Sequence, residues 1–307
     1  MRTFVFLFLI FSAAVAHAKA LNVEFEFTPF LGDPAKLHRV ETVPGYARVF
    51  LNNIPVAEDE VEKHEVLVLF EDHEVAPAVW VPIRSLGPMV RQGKNTIRIE
   101  FEPADAKLPY RAQLHWATVN DQATSTGGAG RGTTTNQTGE GIDRKQAKGK
   151  IVLERDFQAD FAADQPWHHY PAITALSDAD KQSLAELATK RIALFKPDFA
   201  KLYEQLAHQP SFDIASMKKA KCLEKAYSAG VRMVAAPASE VDFAITGGPA
   251  VIVQSSKGKL YAAANPANFE KIKGDDAQMC AGIALATVYP PRLVVVHSPS
   301  GSWEVVQ

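Results

Sequence analysis

The sequence lacks most of the features that would assign a function directly. It has only two cysteines, which excludes a disulfide-dense scaffold and a four-cysteine zinc site. Its 33 basic and 35 acidic residues give a net charge of −2, so it has no global positive field with which to bind nucleic acid or an anionic membrane. It contains no HExxH metal motif, no GxSxG nucleophile elbow and no phosphate-binding loop. We therefore predict no cofactor and no nucleic-acid partner, and these absences favour a protein that is not an enzyme.

The N-terminal segment 1–18 has the composition of a secretory signal peptide. Arg2 precedes an apolar run from Phe4 to Val15, and Ala16-His17-Ala18 supplies the small-x-small pattern of a cleavage site. The run is about 12 residues long, shorter than the roughly 20 needed to cross a bilayer, and no later run is long enough. We expect cleavage after Ala18, a mature chain with no transmembrane segment, and a periplasmic or secreted location.

Export changes the interpretation of Cys222 and Cys280, because a thiol pair persists as a disulfide in an oxidising compartment. The two residues are 58 positions apart. In the chain-entropy model, closing a loop of that size stabilises a fold by about 4 kcal/mol. A Cys222–Cys280 disulfide is therefore predicted, with two separately buried thiols as the alternative.

Residues 19–119 are predicted to form an antiparallel β-sandwich. Val23, Phe25 and Phe27 alternate with Glu24 and Glu26, a period of two that places the apolar side chains on one face of a strand. Turn-forming glycine, proline and asparagine residues separate further short apolar segments, as is typical of a sandwich. Strands are predicted at Tyr46–Leu51, Glu65–Phe70, Ala78–Ile83 and Thr96–Phe101.

Two stretches of this region, Val49–Pro55 (VFLNNIP) and Arg91–Ile99 (RQGKNTIRI), carry a resemblance. They are similar to the jelly-roll or sugar-binding-type β-sandwiches of secreted glycosidases, where a strand ending in a tight turn is followed by a GxN-T-I-x-I strand. The resemblance covers residues 46–101. It implies a β-sandwich, which in such proteins is often structural and has no ligand.

The composition changes after this region. Residues 120–148 include the run TSTGGAGRGTTTNQTGEG, which has no large apolar side chain and predicts a flexible linker or loop. Residues 149–307 are predicted to form an α+β domain of helices packed on an antiparallel sheet, although Lys150–Leu153 also fits a last strand of the first domain. Helices are predicted from Ser177, at Asp198–Ala207 and at Ile214–Ala229, and strands at Val241–Ile245, Ala250–Gln254, Lys259–Ala263, Arg292–His297 and Trp303–Val306. Asp275–Val288 fits either a helix or a buried extended run.

The order of helices followed by a sheet, closed by Leu293–Val296 and Ser302–Val306, resembles the cone-shaped NTF2-like or SnoaL-like domains over residues 177–307. Those domains usually keep a His/Asp or Asp/Arg set inside the cone. Because no such set can be placed in this sequence, the resemblance implies a topology and no catalytic role.

The segment Pro166–Pro171 (PWHHYP) is the most unusual local cluster. His168 and His169, with Asp160 or Asp164 nearby, have the side chains of a carboxylate and histidine metal site. Adjacent imidazoles in an extended segment point to opposite faces, so only one of them would normally serve a given metal. A polar loop with aromatic anchors that pack on the second domain explains the same residues.

Trp80, Trp116 and Trp167 are candidate stacking platforms for sugars, although a tryptophan in an alternating strand is more often part of a core. The acidic runs Glu58–Glu62 and Asp72–Glu74 lack EF-hand spacing, and they fit solvated loops better than a calcium site.

Taken with the signal peptide, these features favour an exported, non-enzymatic binding or envelope-associated protein that recognises a protein or a cell-envelope glycan. Two other functions stay open. One is a periplasmic hydrolase or lyase that uses Asp160, His168 or His169. The other is a periplasmic inhibitor or immunity-type protein, which requires an exposed apolar patch instead of a cleft.

Overall fold

A computed structural model describes residues 22–69, 73–122, 134–207 and 212–307 of the chain. The predicted signal peptide 1–18 lies outside the described residues. The chain divides into two compact units. The first comprises the described parts of Met1–Ala47, Glu58–Asn95 and Ile99–Ala163, and the second comprises those of Arg48–Ala57, Thr96–Arg98 and Asp164–Gln307. The predicted combination of β structure followed by helices and a further sheet is confirmed.

Ten strands form two sheets in the N-terminal part of the chain. They are β1 (Asn22–Leu31), β2 (Arg39–Thr42), β3 (Gly45–Leu51), β4 (Ile54–Val61), β5 (Glu65–Leu67), β6 (Val79–Pro82), β7 (Gly93–Pro103), β8 (Pro109–Gln122), β9 (Thr134–Lys148) and β10 (Ile151–Ala159). The six-stranded sheet has the order β5-β2-β1-β8-β9, with β6 also paired to β1, and these neighbouring strands pair antiparallel. The four-stranded sheet has the order β10-β7-β3-β4.

The two sheets pack through aromatic side chains that alternate along the strands. On β1, Val23, Phe25 and Phe27 are buried while the residues between them are partly exposed. The ring of Phe25 meets that of Phe157 on β10 edge to face, with the centroids 5.2 Å apart, and Phe27 packs on Phe101 of β7 at 5.6 Å. Because these contacts use only the inward positions of β1, the even-numbered positions such as Glu24 and Glu26 face away from this core.

The prediction of a flexible linker over residues 120–148 is wrong for Thr134–Lys148, which forms β9. This strand pairs antiparallel with β8 from Pro109↔Lys148 to Gln122↔Thr134, with a register irregularity between Ala117 and Val119. A polar, threonine-rich segment can form such a strand because β9 ends the strand order and has β8 as its partner there, so backbone hydrogen bonds hold it without a buried face on both sides. Residues 123–133 lie outside the described part of the chain.

The predicted start of the second domain at residue 149 is also wrong, because β10 (Ile151–Ala159) pairs with β7 in the four-stranded sheet of the sandwich. Of the two interpretations of Lys150–Leu153, the last strand of the first domain is therefore the one observed. After β10, the rest of the chain from Asp164 belongs to the second unit.

From Asp164 onward, the described residues of the second unit form five α-helices and six strands. The helices are α1 (Asp178–Arg191), α2 (Ala200–Ala207), α3 (Ile214–Ala220), α4 (Cys222–Ser228) and α5 (Asp275–Val288); the strands are β11 (Met233–Ala235), β12 (Val241–Ile245), β13 (Ala250–Ser255), β14 (Tyr261–Ala263), β15 (Arg292–His297) and β16 (Trp303–Val305). An antiparallel sheet has the order β12-β13-β15-β16, and β11 pairs with β14. None of the helices in the described ranges has the length and apolar character needed to cross a membrane.

Side chains satisfy free backbone groups at both ends of α1. Ser177 caps α1 through a capping box with Asp180, as the sequence predicts. At the other end of α1, the Tyr261 hydroxyl donates to the Ala188 carbonyl at 2.9 Å, and Tyr289 donates to the Arg191 carbonyl at 3.3 Å. Two buried phenols thus complete the hydrogen bonding of this helix end.

The Cys222–Cys280 disulfide is confirmed and joins α4 to α5. Asp275–Val288, for which helix and extended run were both open, is a helix. The predicted single helix Ile214–Ala229 is wrong, since Lys221 has a left-handed backbone (φ 54°) that separates α3 from α4. This interruption lies directly before Cys222.

Candidate functional site

The outer face of the six-stranded sheet carries a row of polar side chains. Glu24, Glu26 and Thr28 of β1 are directly opposite Ala117, His115 and Gln113 of β8. On the far side of β8, Ile142 is opposite His115, and Arg144 is opposite Gln113. Because side chains that are opposite in adjacent strands share one face, these residues form a continuous surface, which we call the outer face.

A short segment, residues 73–78, crosses part of the outer face and is called the strap below. The Gln113 side chain accepts a hydrogen bond from the Val75 N–H at 3.2 Å and donates one to the Val75 carbonyl at 2.9 Å. The Thr28 hydroxyl donates to the Ala76 carbonyl at 3.0 Å and accepts from the Ala78 N–H at 3.1 Å. Thr28, Gln113 and Val75 are almost completely buried, so side chains of the sheet satisfy the backbone of the strap instead of water.

The strap brings Glu74 to two residues of the sheet. The His115 Nδ1 atom lies 2.9 Å from Glu74 Oε1 and 3.2 Å from Glu26 Oε2. The His115 side chain is only 9% exposed, and those of Glu26 and Glu74 are 22% and 15% exposed. Hydrogen bonds to Glu26 and then to Glu74 raise the pKa of His115 to about 9, against the smaller opposing effect of burial.

This cluster can act in either of two ways. With a protonated imidazole, it is a compact ion triad that ties the strap to β1 and β8. With a neutral imidazole, it offers one nitrogen and two carboxylate ligands, whose ligand atoms all lie within 4.8 Å of one another. Within the described ranges it is the one group of three or more histidine, cysteine or acidic residues that converges in this way.

Trp80 lies next to this cluster on the same face. It is directly opposite Glu26 in the β1–β6 pairing, and the Trp80 side chain remains 57% exposed. The Trp80 Nε1–H group donates to Glu24 Oε2 at 3.3 Å, and Glu24 Oε1 accepts from Asn22 at 2.9 Å. The indole is thus an open aromatic surface bordered by the carboxylates of Glu24 and Glu26.

The other two predicted stacking residues serve packing. The Arg155 guanidinium lies 3.8 Å from the centroid of the Trp116 ring, and a side chain on the neighbouring Gly141 would meet the same ring at 2.6 Å. Trp167 is buried and contacts the ring of His168. Of the three tryptophans, only Trp80 offers an open ring to a ligand.

The predicted cluster of His168 and His169 with Asp160 or Asp164 is arranged around Asp164. Asp164 Oδ1 lies 2.9 Å from His168 Nδ1, and Asp164 Oδ2 contacts His169 Nε2. Hydrogen bonds from His168 and then from His169 lower the pKa of Asp164. The His168 side chain is only 1% exposed, whereas that of His169 is 73% exposed, so the two rings do not face a common open space. Metal binding by His168, His169 and Asp160 stays a prediction.

Sequence reasoning missed the cluster on the outer face. Glu26 and His115 are 89 positions apart and become neighbours only through the β1–β8 register. The available signal was the alternation of β1, which assigns Glu26 to the outward positions, together with the acidic run Asp72–Glu74. The sequence contains no pattern that places His115 beside them.

Comparison with known proteins gives no match of any kind, whether to a family model, to a curated protein or to a solved structure. The resemblances to jelly-roll sandwiches and to NTF2-like domains therefore stay predictions, and function must be argued from the site itself.

Proposed function

We propose that this chain is an exported, non-enzymatic binding protein that recognises a glycan through Trp80 and the carboxylates beside it. The observation that carries the proposal is the open indole of Trp80, which is exposed on a sheet and held in place by its hydrogen bond to Glu24. An indole fixed in this way costs little conformational entropy when a ligand binds, because it has only two side-chain torsions and one is already restrained.

The surroundings of Trp80 favour a sugar of particular chemistry. The C–H face of a pyranose ring is apolar enough to cover an indole, and its hydroxyl groups are hydrogen-bond donors that suit carboxylate acceptors. Glu24 and Glu26 supply such acceptors next to the ring. The same carboxylates repel anionic sugars, so we expect a neutral or amine-bearing oligosaccharide and not a sulfated or uronic-acid polymer.

The test is a screen on immobilised neutral, amino and acidic oligosaccharides, followed by calorimetric titration with the strongest soluble binder. We expect binding to neutral or amino sugars, and Trp80→Ala should weaken it at least about tenfold, because it removes the central aromatic contact. Tyr46→Ala is the matched control. Tyr46 is also a strand aromatic, is 54% exposed, and lies on β3 of the other sheet.

A Tyr46 variant that loses as much affinity as the Trp80 variant would show that the sugar is not bound at the outer face. Absence of binding to every class of sugar would contradict the proposal. If the wild type binds no sugar but captures a protein from envelope extracts, and Trp80→Ala abolishes that capture, the ligand of Trp80 is a protein and not a glycan.

A second candidate function is hydrolysis or elimination near Asp164. The exposed His169 contacts Asp164, which is the arrangement of a general base oriented by a carboxylate. Any turnover found for the purified protein should then be lost in His169→Ala, and turnover that survives this change would exclude the site.

An inhibitor or immunity-type role is favoured by one feature of α5. Met279 and Ile283 are one helical turn apart and are 61% and 53% exposed. Ile283 also lines an apolar depression that includes Phe212 and Met217. A protein complex that depends on this patch should be lost in the double variant Met279→Glu/Ile283→Glu and retained in Trp80→Ala.

A further inference from the structure

We propose that Glu26, Glu74 and His115 bind one divalent transition-metal cation of the zinc class per chain. The proposal shares Glu26 with the proposed sugar site, but it does not depend on the ligand of Trp80, since it is tested with the metal alone. No sequence motif predicts this site, because its three ligands come from β1, from the strap and from β8.

The distances in the cluster are those of ligands around a small cation. With metal–ligand bonds of about 2.1 Å, two neighbouring ligand atoms are separated by about 3.0 Å at right angles and by about 3.4 Å in a tetrahedron. The His115 Nδ1 atom lies 2.9 Å and 3.2 Å from the nearest oxygens of Glu74 and Glu26. Small side-chain adjustments therefore suffice for a cation to replace the proton that these groups share.

The chemistry of the ligand set selects the class of metal. Calcium and magnesium prefer sites made of oxygen alone, whereas an imidazole nitrogen combined with carboxylates suits zinc, manganese or ferrous iron. Two carboxylates and a neutral imidazole carry a charge of about −2, which a divalent cation balances in a largely buried position. Metal binding must displace the imidazole proton, so affinity depends on pH.

The structure holds the ligands in place before any metal arrives. β1 pairs with β6 and with β8 on either side of Glu26, and His115 lies within the long β8 strand. Glu74 is fixed because the next residue of the strap, Val75, is hydrogen-bonded through both of its backbone groups to Gln113. Such support favours metal binding, because little of the binding free energy is then lost in ordering the ligands.

The experiment is calorimetric titration of the chelator-treated, dialysed protein with zinc chloride, together with zinc-edge X-ray absorption of the loaded wild-type protein. We expect one zinc per chain with micromolar or tighter affinity. His115→Ala and Glu74→Gln should each weaken binding at least about tenfold, because each removes a direct ligand. His38→Ala is the matched control, since His38 is an exposed histidine of the same unit.

The absorption spectrum keeps the test valid if a variant fails to fold. One imidazole with oxygen neighbours supports the proposed site, while two imidazoles would assign the metal to His168 and His169 and overturn it. Zinc affinity that is unchanged in both ligand variants, or lost only in His169→Ala, would also overturn it. Binding that is absent in the wild type would leave the cluster as an ion triad and refute the proposal.

Discussion

The attachment of the strap to the outer face leads to a quantitative prediction for Gln113→Leu. Leucine keeps most of the volume of glutamine but can form no hydrogen bonds through its side chain. The N–H and C=O groups of Val75 would therefore lose the two hydrogen bonds that they make with the Gln113 side chain. Val75 and Gln113 are 0% and 1% exposed, so water cannot replace these bonds without opening the strap. Leaving two buried backbone groups unpaired costs roughly 1–3 kcal/mol each, so we expect a loss of about 4 kcal/mol in the free energy of unfolding.

The assay is urea unfolding followed by far-ultraviolet circular dichroism, combined with hydrogen exchange of the strap measured by mass spectrometry. Gln158→Leu is the matched control, because it makes the same substitution at an exposed position of strand β10. We expect faster exchange of residues 73–78 in Gln113→Leu only. If the free energy of unfolding of Gln113→Leu is less than about 0.5 kcal/mol below that of Gln158→Leu, the reasoning that Gln113 holds the strap is refuted.

Two further predictions concern the second unit. The double variant Cys222→Ala/Cys280→Ala should have a free energy of unfolding about 4 kcal/mol lower than the wild type, because it releases a loop of 58 residues. Reduction of the wild-type disulfide should have an effect of similar size. A variant or reduced protein whose stability lies within about 1 kcal/mol of the oxidised protein would contradict the loop argument. Burial raises the pKa of Tyr289 from 10 to about 12, so the folded state holds this proton more tightly than the unfolded state. Its contribution, roughly 2 to 3 kcal/mol, is complete below pH 10 and is lost as the pH rises through 12. The decrease in stability between pH 9.5 and 11.5 should therefore be smaller in Tyr289→Phe than in the wild type, and equal decreases would show that Tyr289 does not titrate as stated.

The β strands of the second unit are those that the sequence predicts best. Val241–Ile245 and Arg292–His297 have the bounds that the periodicity predicts, since each is a short apolar run between strong turn formers. The two wrong predictions of secondary structure have different physical causes. Thr134–Lys148 lies at the end of the sheet order and is polar. Its hydropathy pattern therefore does not indicate that it pairs with β8. Lys221 interrupts a continuous helical pattern through its backbone conformation, although lysine is not a residue that favours it.

The candidate site could be predicted only in part. Trp80 was a candidate from its residue type, but whether it is exposed or buried depends on which face of β6 is covered. Trp116 looks equivalent in sequence and is instead covered by Arg155. The Glu26–Glu74–His115 cluster depends on the β1–β8 register and on the path of the strap, and both are long-range properties that local patterns do not encode.

The disulfide of the second unit also determines what thiol oxidation reports about folding. The covalent loop from Cys222 to Cys280 includes β12 and β13, but β15, the other partner of β13, lies beyond it. A chain can therefore be fully oxidised, with α4 fastened to α5, while β13 still presents an unpaired edge and the apolar side chains of Val251, Ile252 and Val253. Such a species passes any quality test based on free thiols and is nevertheless prone to pair with other chains. A correct thiol count is therefore not a measure of the native state of this protein.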